Sequence, residues 1–345
     1  MTEKVNTVTN LIFTVILVAA GILSCFTGRM EIAPGDVVAT IIRFPVLLVD
    51  ILSGDYNSLT DQERVLMLIR FPRILLALLV GAGLSVSGAV YQGLFRNPLV
   101  SPDILGVAAG CTFGASVGLL VPGSSFFLVR FFSFVMGLCA VGMALAMARS
   151  VKTSRVLVLV LTGVITGSLF HAFFMIVKTI ADPLGQLPAI VFWVMGSLSG
   201  ASWIDTLQIL PVILVGYTIF HLFRYRLNVL SLGDETAKSL GVNPKGLRLF
   251  LIAVSSFMIA VCVASCGQIV WVGLVIPHIV RTISGPNHRL LIPGSALLGA
   301  SFLLLADDIA RSALSSELPL GVITSLIGAP VFAWLLYKNK NKGWA

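Results

Sequence analysis

The chain has 345 residues, of which 57% are hydrophobic and 11% are charged. A water-soluble domain of this length carries roughly a quarter of its residues as charged side chains, so the composition excludes an ordinary soluble protein. It predicts a polytopic membrane protein, in which the formal net charge of +8 reports topology rather than binding to nucleic acid.

Apolar runs of about 20 residues recur along the chain, and a helix of that length crosses a hydrocarbon layer about 30 Å thick. The runs lack the alternation that is typical of membrane strands, so we predict an all-α fold in which 1–345 forms one transmembrane domain. About ten spans are predicted, at 8–28, 74–94, 103–122, 126–148, 155–177, 203–222, 248–267, 268–284, 291–310 and 319–337.

The basic residues indicate the orientation. With the N-terminus in the cytoplasm and the spans alternating, the inner loops hold 15 of the 23 Lys and Arg residues but 4 of the 15 Asp and Glu residues. An excess of basic residues in short loops marks the cytoplasmic side. Both termini are therefore predicted to be cytoplasmic.

The longest predicted connection is an outer loop at 29–73. It begins with a Pro-Gly-Asp turn, continues with an apolar stretch at 37–51 and ends with a polar piece at 53–64. We expect short helices that lie on the outer surface. A second connection, at 182–203, has an apolar centre of about ten residues, which is too short to cross and predicts a re-entrant or outer-surface helix.

Glycine recurs at every fourth position of the third predicted span, and the fifth span repeats the spacing. Such a strip is smooth and lets a neighbouring helix backbone approach closely. We predict tight helix packing at these positions, and a pore-lining role stays open. The glycines are Gly106, Gly110, Gly114, Gly118, Gly163 and Gly167.

No residue cluster in the sequence predicts a metal site. Cys262 and Cys266 share a helix face, and His171 and His278 lie in apolar spans. A soft-metal or haem ligand is an open alternative for these side chains, but small or hydrogen-bonded core residues are the simpler interpretation. We expect no disulfide framework, because all five cysteines lie within apolar runs.

A polar, charged segment at 224–248 interrupts the apolar sequence on the predicted cytoplasmic side. Residues 230–240 are predicted to form a short amphipathic helix, since acidic residues near its start and Lys238 near its end complement the helix dipole. Gly241 supplies the stop, and a further short turn or helix leads into the seventh span. The segment is interpreted as a docking element, and a solvated loop is the alternative.

This segment resembles the EAA…G loop of ATP-binding-cassette (ABC) permeases, through Glu235-Thr236-Ala237 followed by Gly241. The resemblance implies that an ATPase subunit binds here. The residues assigned to this coupling role are Leu232, Gly233, Asp234, Glu235, Thr236, Ala237, Leu240 and Gly241.

A longer signature links the second and third spans. Residues 92–106 have the sequence QGLFRNPLVSPDILG, which resembles the signature of the FecCD family of permeases, importers of iron–siderophores, haem and cobalamin. Three further stretches agree in the family's order, RFPR at 70–73, GLVIPHIVR at 273–281 and ELPLGVIT through GAP at 317–330. The resemblance covers about residues 30–337.

The resemblance implies a type II ABC importer permease with about ten transmembrane helices. Two copies would form a homodimer in the cytoplasmic (inner) membrane, two ATP-binding-cassette subunits would bind the docking segment, and an extracytoplasmic binding protein would deliver a ferric siderophore, haem or corrinoid. The chain has no G-x-x-x-x-G-K-[ST] phosphate loop. It is therefore expected to be a transport subunit and not an enzyme, with no cofactor of its own and with ATP and Mg²⁺ on the partner ATPase.

The resemblance assigns a cytoplasmic gate to small or polar residues at inner helix ends, namely Asn97, Leu99, Thr153 and Ser154. Thr153 and Ser154 also stand where helix N-caps belong. A cap and a gate are compatible, so both interpretations stay open.

The resemblance also assigns docking of the binding protein to Arg70, Arg73 and Arg311, which fall on the predicted outer side. Charge-assisted pairs between arginine and carboxylate suit transient, oriented docking. The alternatives are snorkelling at the membrane interface and, for Arg311, a helical pair with Asp307.

Two other classes of function compete with an ABC permease. A secondary transporter places ionisable residues within its spans, whereas the predicted span interiors here hold essentially none. An intramembrane enzyme needs convergent acidic groups or a nucleophile with its base. Asp307 and Asp308 lack a second acidic cluster, and we interpret them as a surface pair.

Overall fold

The computed structural model describes residues 2–53, 59–150 and 155–339, and regular structure within those ranges is entirely helical. The α-helices are α1 (Thr2–Phe26), α2 (Pro34–Ser53), α3 (Asp61–Val65), α4 (Phe71–Phe95), α5 (Val107–Leu120), α6 (Phe126–Arg149), α7 (Arg155–Ile180), α8 (Gln186–Val194), α9 (Trp203–Ser231), α10 (Asp234–Ser239), α11 (Pro244–Cys266), α12 (Val272–Ser284), α13 (His288–Ser312) and α14 (Leu320–Asn339). A π-helical turn, Leu66–Arg70, precedes α4, and a 3-10 turn, Pro102–Leu105, precedes α5. The predicted all-α fold is confirmed.

Ten apolar helices correspond to the ten predicted spans. In the part of the chain that the structure describes, eight helices are long and apolar enough to cross a membrane: α1, α4 with the turns before it, α6, α7, α9, α11, α13 and α14. α5 and α12 have 14 and 13 residues, or about 20 Å against a hydrocarbon core of about 30 Å. The count of about ten spans is compatible with the structure, and two of them are partial.

The partial helices α5 and α12 each begin after a non-α segment inside the fold. Residues 101–103 and 268–271 of these segments line one cavity of about 270 Å³, together with Leu84 from the middle of α4. Gly273 lies so close to Pro102 that an added Cβ would collide with the proline ring. Irregular backbone within a membrane protein is tolerated where it is buried or faces a cavity, and both segments face this cavity.

The central helix is α4, which packs against α9, α11, α12 and α13. Its small residues allow close approach, since a Cβ added at Gly81 or Gly88 would collide with the backbone of Gly299 or Gly273. Tyr91 is fully buried, and its hydroxyl lies 2.7 Å from a serine hydroxyl on α11. These contacts fix α4 within the bundle, and with it the residues directly before and after the helix, Arg70 and Arg96.

The glycine strip of α5 faces α6. A Cβ added at Gly118 would lie 2.8 Å from the Cα of Val129, and Cβ atoms at Gly110 and Gly114 would collide with backbone carbonyl groups of α6. Backbone-to-backbone approach of this kind requires glycine, so the geometry agrees with the packing interpretation of the strip.

The remaining predicted glycines join α7 to the turn before α5. Gly163 lies against the backbone of Ile104, and Gly106 lies beside Gly167. Gly106 also has a φ of 76°, in the left-handed region that favours glycine. Two requirements, conformation and space, therefore coincide at this position.

The outer segment at 29–73 differs from the predicted loop, because helix begins well before residue 73. α2 fills its first half, and α3 starts at Asp61 with a capping box in which Thr60 and Glu63 accept hydrogen bonds from each other's backbone N–H groups. From Asp61 the helical path runs to Phe95. Short helices are present as predicted, but the last of them is the extension of the second span.

A π-helical turn lets this long helix pass a proline. The backbone N–H of Phe71 donates to the carbonyl of Leu66, five residues earlier. Pro72 follows directly and has no N–H to continue an α pattern. The widened turn therefore sets the rotation of Arg70 and Arg73 about the helix axis.

The connection at 182–203 contains α8, which has nine residues and is too short to cross, as predicted. The backbone after α8 forms hydrogen bonds with the last residue of α11 and the first turn of α14. Ser197 N donates to Cys266 O at 2.8 Å, and Gly321 N donates to Met195 O at 2.9 Å. α8 therefore packs into the fold at the ends of α11 and α14.

Large apolar side chains stay exposed on the outside of the bundle, among them Leu11 on α1, Ile176 on α7 and Val215 on α9. Exposed apolar surface of this extent is typical of faces that contact lipid or another subunit. The position of these helices is consistent with a membrane protein.

Candidate coupling site and gate

The first part of the polar segment is helix rather than loop. α9 runs from Trp203 to Ser231 and has 29 residues, so it is about 44 Å long. The predicted span ended at residue 222. α9 exceeds the hydrocarbon thickness by about 14 Å. Its C-terminal turns hold the charged residues Arg224 and Arg226, which favours that end, with the next element, as the part outside the hydrocarbon layer.

That element is the short helix α10, Asp234–Ser239. The prediction of one helix over 230–240 is wrong, because Gly233, with φ 126° and ψ 155°, separates α9 from α10. Gly241, with a φ of 76°, ends α10 as predicted. No separate second helix follows, since Asn243 caps α11 directly by accepting hydrogen bonds from the N–H groups of the first turn.

One face of α10 is open to solvent. The side chain of Glu235 is 88% exposed and forms an ion pair of 2.8 Å with Lys238, three residues later. Leu232 and Leu240, which flank the helix, are 67% and 55% exposed. Ala237 is fully buried beneath them. An acidic group between two exposed leucines suits a protein partner, which would cover the leucines.

The first residue of α10 faces the other way. Asp234 accepts hydrogen bonds from Arg248 on α11, at 2.8 and 3.2 Å, and from Arg96 at the end of α4, at 2.6 Å. The bonds from Arg248, joined by the charge of both guanidinium groups, hold the pKa of the Asp234 carboxyl below its usual range. Asp234 is therefore ionised under ordinary conditions and ties three elements together.

The predicted gate residues lie directly after Arg96. The side-chain oxygen of Asn97 accepts a hydrogen bond of 2.9 Å from the backbone N–H of Leu99, which makes a tight turn, and the Leu99 side chain is exposed. Thr153 and Ser154 lie outside the described residues. The gate therefore stays a prediction, and the structure adds that its first half directly follows Arg96, which bonds to α10.

The predicted docking arginines are buried at the opposite end of the bundle. Arg73 forms two-pronged contacts with Asp307, at 2.9 Å, and with Glu317, at 3.0 Å. Arg311 pairs with Asp308 and lies 3.9 Å from Asp307.

The third of these arginines, Arg70, donates to the backbone carbonyl groups of Cys25 and Met30. The interpretation of Asp307 and Asp308 as a surface pair is wrong, because both are buried against guanidinium groups. All three predicted docking arginines therefore have partners within the chain.

Sequence reasoning missed Arg96, Arg248 and Glu317 as members of these two clusters. Arg96 and Asp234 are 138 positions apart, and Arg73 and Glu317 are 244 apart. The available signal was their position, since Arg96 and Glu317 lie inside stretches that carry the family resemblance. Across the described residues, no group of three His, Cys, Asp or Glu side chains could hold a metal ion.

The long apolar helices and the exposed helix α10 agree with a membrane transport subunit, and comparison with known proteins gives its class, an ABC permease. The chain belongs to the FecCD transport family, whose model matches residues 16–338. It is 40% identical over 282 residues to the molybdate import permease of Haemophilus influenzae, covering 82% of this chain and 83% of that one.

Two further relatives extend over nearly the whole chain. The Fe(3+)-citrate import permease of Bacillus subtilis is 36% identical over 336 residues, with 96% of this chain and 95% of the relative covered. An inward-facing structure described as a metal-chelate type ABC transporter is 36% identical, has a TM-score of 0.83 and covers 95% of this chain and 98% of its own.

The chain is therefore the permease subunit of an ABC importer, which confirms that prediction at the level of class. It is a transport subunit, and ATP hydrolysis belongs to a separate chain. Membership implies a dimer of permease subunits assembled with ATPase subunits. The rival interpretations as a secondary transporter or an intramembrane enzyme have no support.

Proposed function

We propose that this permease carries a chelated metal, such as a ferric siderophore, haem or a corrinoid, into the cytoplasm. One observation carries the coupling part of the proposal: Glu235 on α10 and the flanking Leu232 and Leu240 are exposed, while the first residue of α10 bonds to Arg96, directly before the predicted gate residues. An ATPase that binds these exposed residues can move α10 and, through Arg96, the gate residues. ATP hydrolysis therefore drives uptake.

We propose an assembly of two copies of this chain in the cytoplasmic (inner) membrane, with both termini in the cytoplasm and the pathway between the copies. The exposed apolar faces of the bundle and the basic inner loops support this arrangement. ATP and Mg²⁺ would bind the two ATPase subunits, and this chain would bind no cofactor.

A soluble binding protein would deliver the cargo from outside. Arg73 is the best placed of the three proposed docking arginines, because its partner Glu317 keeps 29% of its side chain exposed. A carboxylate of the binding protein would have to replace Glu317 on Arg73. Docking at Arg70 and Arg311 would require larger rearrangement, since Arg311 pairs with the buried Asp308 and Arg70 bonds to backbone carbonyl groups.

The relatives have names with different cargoes, molybdate and ferric citrate, so the cargo class needs an argument of its own. The described residues bring together no chelating cluster that would bind a bare metal ion. This supports a cargo that arrives already chelated, with selectivity in the binding protein.

The test is uptake by the complete transporter in liposomes, with labelled ferric siderophore, haem, corrinoid and molybdate offered one at a time. We expect ATP-dependent accumulation of one of the chelates. Transport of molybdate alone would overturn the cargo class, and uptake with a hydrolysis-deficient ATPase would favour a secondary transporter.

A further inference from the structure

α10 has two faces with different partners. Glu235 points to solvent, whereas Asp234 is 35% exposed and lies between the guanidinium groups of Arg96 and Arg248. Consecutive residues on a helix are about 100° apart, so a partner on the Glu235 face leaves Asp234 in place. Asp234 is therefore free to act within the permease while its neighbour acts between subunits.

Arg96 occupies a position that favours glycine. It ends α4 with φ 50° and ψ 37°, the left-handed conformation in which helices commonly place a glycine. Its side chain bonds to Asp234 and also donates from Nε to the carbonyl of Leu230, at 3.1 Å, near the end of α9. An arginine in this strained position links the ends of α4 and α9 to the start of α10.

Arg248 extends the link to α11. Its side chain is only 4% exposed, and it contacts both oxygens of Asp234. Separating a buried guanidinium from its carboxylate leaves an uncompensated charge. A displacement of α10 therefore moves α11 with it more readily than it breaks the pair.

We propose that Arg96, Asp234 and Arg248 form the joint that transmits movement of α10 to the gate turn at 97–99 and to α11. This inference rests on the proposed function, in which an ATPase moves α10. Asp234 is a positioning residue: it contacts neither ATP nor cargo, and it makes the gate turn follow the coupling helix.

The test measures coupling in the complete transporter, as cargo moved per ATP hydrolysed. For Asp234→Asn and for Arg96→Gln we expect this ratio to fall at least about fivefold, the lower end of typical coupling between sites, while the ATPase still co-purifies. Asp234→Glu, which keeps the charge, should recover part of the ratio. Combining Asp234→Asn with Arg96→Gln should not lower the ratio below that of Asp234→Asn alone, since both changes break the same Arg96–Asp234 link.

Matched controls remove the same groups elsewhere. Asp61→Asn changes an exposed carboxylate at the start of α3, and Arg289→Gln changes an exposed arginine at the start of α13. Both controls should keep the wild-type ratio. If Asp234→Asn fails to reach the membrane, the ratio of Arg96→Gln is the test. In that variant Asp234 and Arg248 still neutralise each other, so the buried Arg248 keeps its partner.

Three outcomes separate this inference from the proposed function. A wild-type ratio in both variants would overturn the joint. Loss of ATPase co-purification in Asp234→Asn would also overturn it, since Asp234 would then belong to the docking face. Failure of the wild-type chain to bind an ATPase would instead refute the proposed function.

Discussion

Arg73 donates hydrogen bonds to two carboxylates at once, those of Asp307 and Glu317, and Asp307 is fully buried. Burial of ionised groups is costly, and pairing offsets the cost only while each partner is in place. This cluster therefore fastens α4 to α13 and to the residues before α14, at the end of the bundle opposite α10.

Asp307→Ala is predicted to lower the free energy of unfolding by about 3–5 kcal/mol, because it leaves part of a buried guanidinium without its carboxylate. Unfolding of the purified permease in mixed detergent micelles measures the change. Glu317→Ala is the matched control and should cost less, since the Glu317 side chain is partly exposed. Equal losses would contradict the assignment of Asp307 as the principal partner.

The Asp234 link is predicted to depend on pH only in acid. Arg248 holds the pKa of Asp234 below its usual range, so the link contributes stability above the unfolded-state pKa of about 3.9 and loses it as pH falls through the lower folded value. Hydrogen exchange of the α10 amides, corrected for intrinsic rates, should show constant protection from pH 8 to about 5. A loss of protection near neutral pH would be inconsistent with this charge state.

At the scale of elements, α10 is held between two glycine turns. Gly233 adopts φ 126° and ψ 155°, and Gly241 adopts a φ of 76°. The first of these conformations is essentially restricted to glycine. The turns let the chain leave α9, form six residues of helix and enter α11 within a short segment, so the angle of α10 depends on them.

Gly233→Ala is predicted to cost about 1–3 kcal/mol of local strain, which the chain can relieve by re-orienting α10. Uptake per amount of permease in the membrane should therefore fall, and transport normalised to membrane protein measures it. Gly142→Ala, at a helical glycine with open space around it, should leave both unchanged. Equal behaviour of the two variants would argue against a fixed α10.

Glu235→Lys is predicted to reduce ATPase association and ATP-driven uptake without lowering permease stability, because the side chain is 88% exposed. Co-purification of the ATPase at two salt concentrations measures the effect, which should be larger at low salt. Glu31→Lys, at an exposed residue before α2, is the charge-matched control. Normal uptake by Glu235→Lys would remove α10 from the ATPase interface.

The whole molecule shows which features could be predicted from sequence. The spans were predictable because each is a long local run of apolar residues, and the polar segment was predictable because it interrupts them. The break at Gly233 was not, since residues 230–240 have a continuous amphipathic pattern and a glycine is tolerated within a helix.

The charge clusters could not be predicted because they join distant parts of the chain. Arg73 and Asp307 are separated by 234 positions, and a single sequence gives no signal for such a pair. A buried arginine and a surface arginine have the same local sequence pattern. Only packing of α4 against α13 decides that these side chains are buried.

The cavity between α5 and α12 has a consequence for permeability. It adjoins Leu84, halfway along α4, and its wall includes the polar residues Ser101, Asp103 and Gln268. Most of the lining is apolar, but these three side chains offer polar contacts in a space of about 270 Å³, which has room for several water molecules. Because this space lies halfway along α4, a rearrangement of the two interrupted helices that joined it to solvent on both sides would open a hydrated route through the subunit.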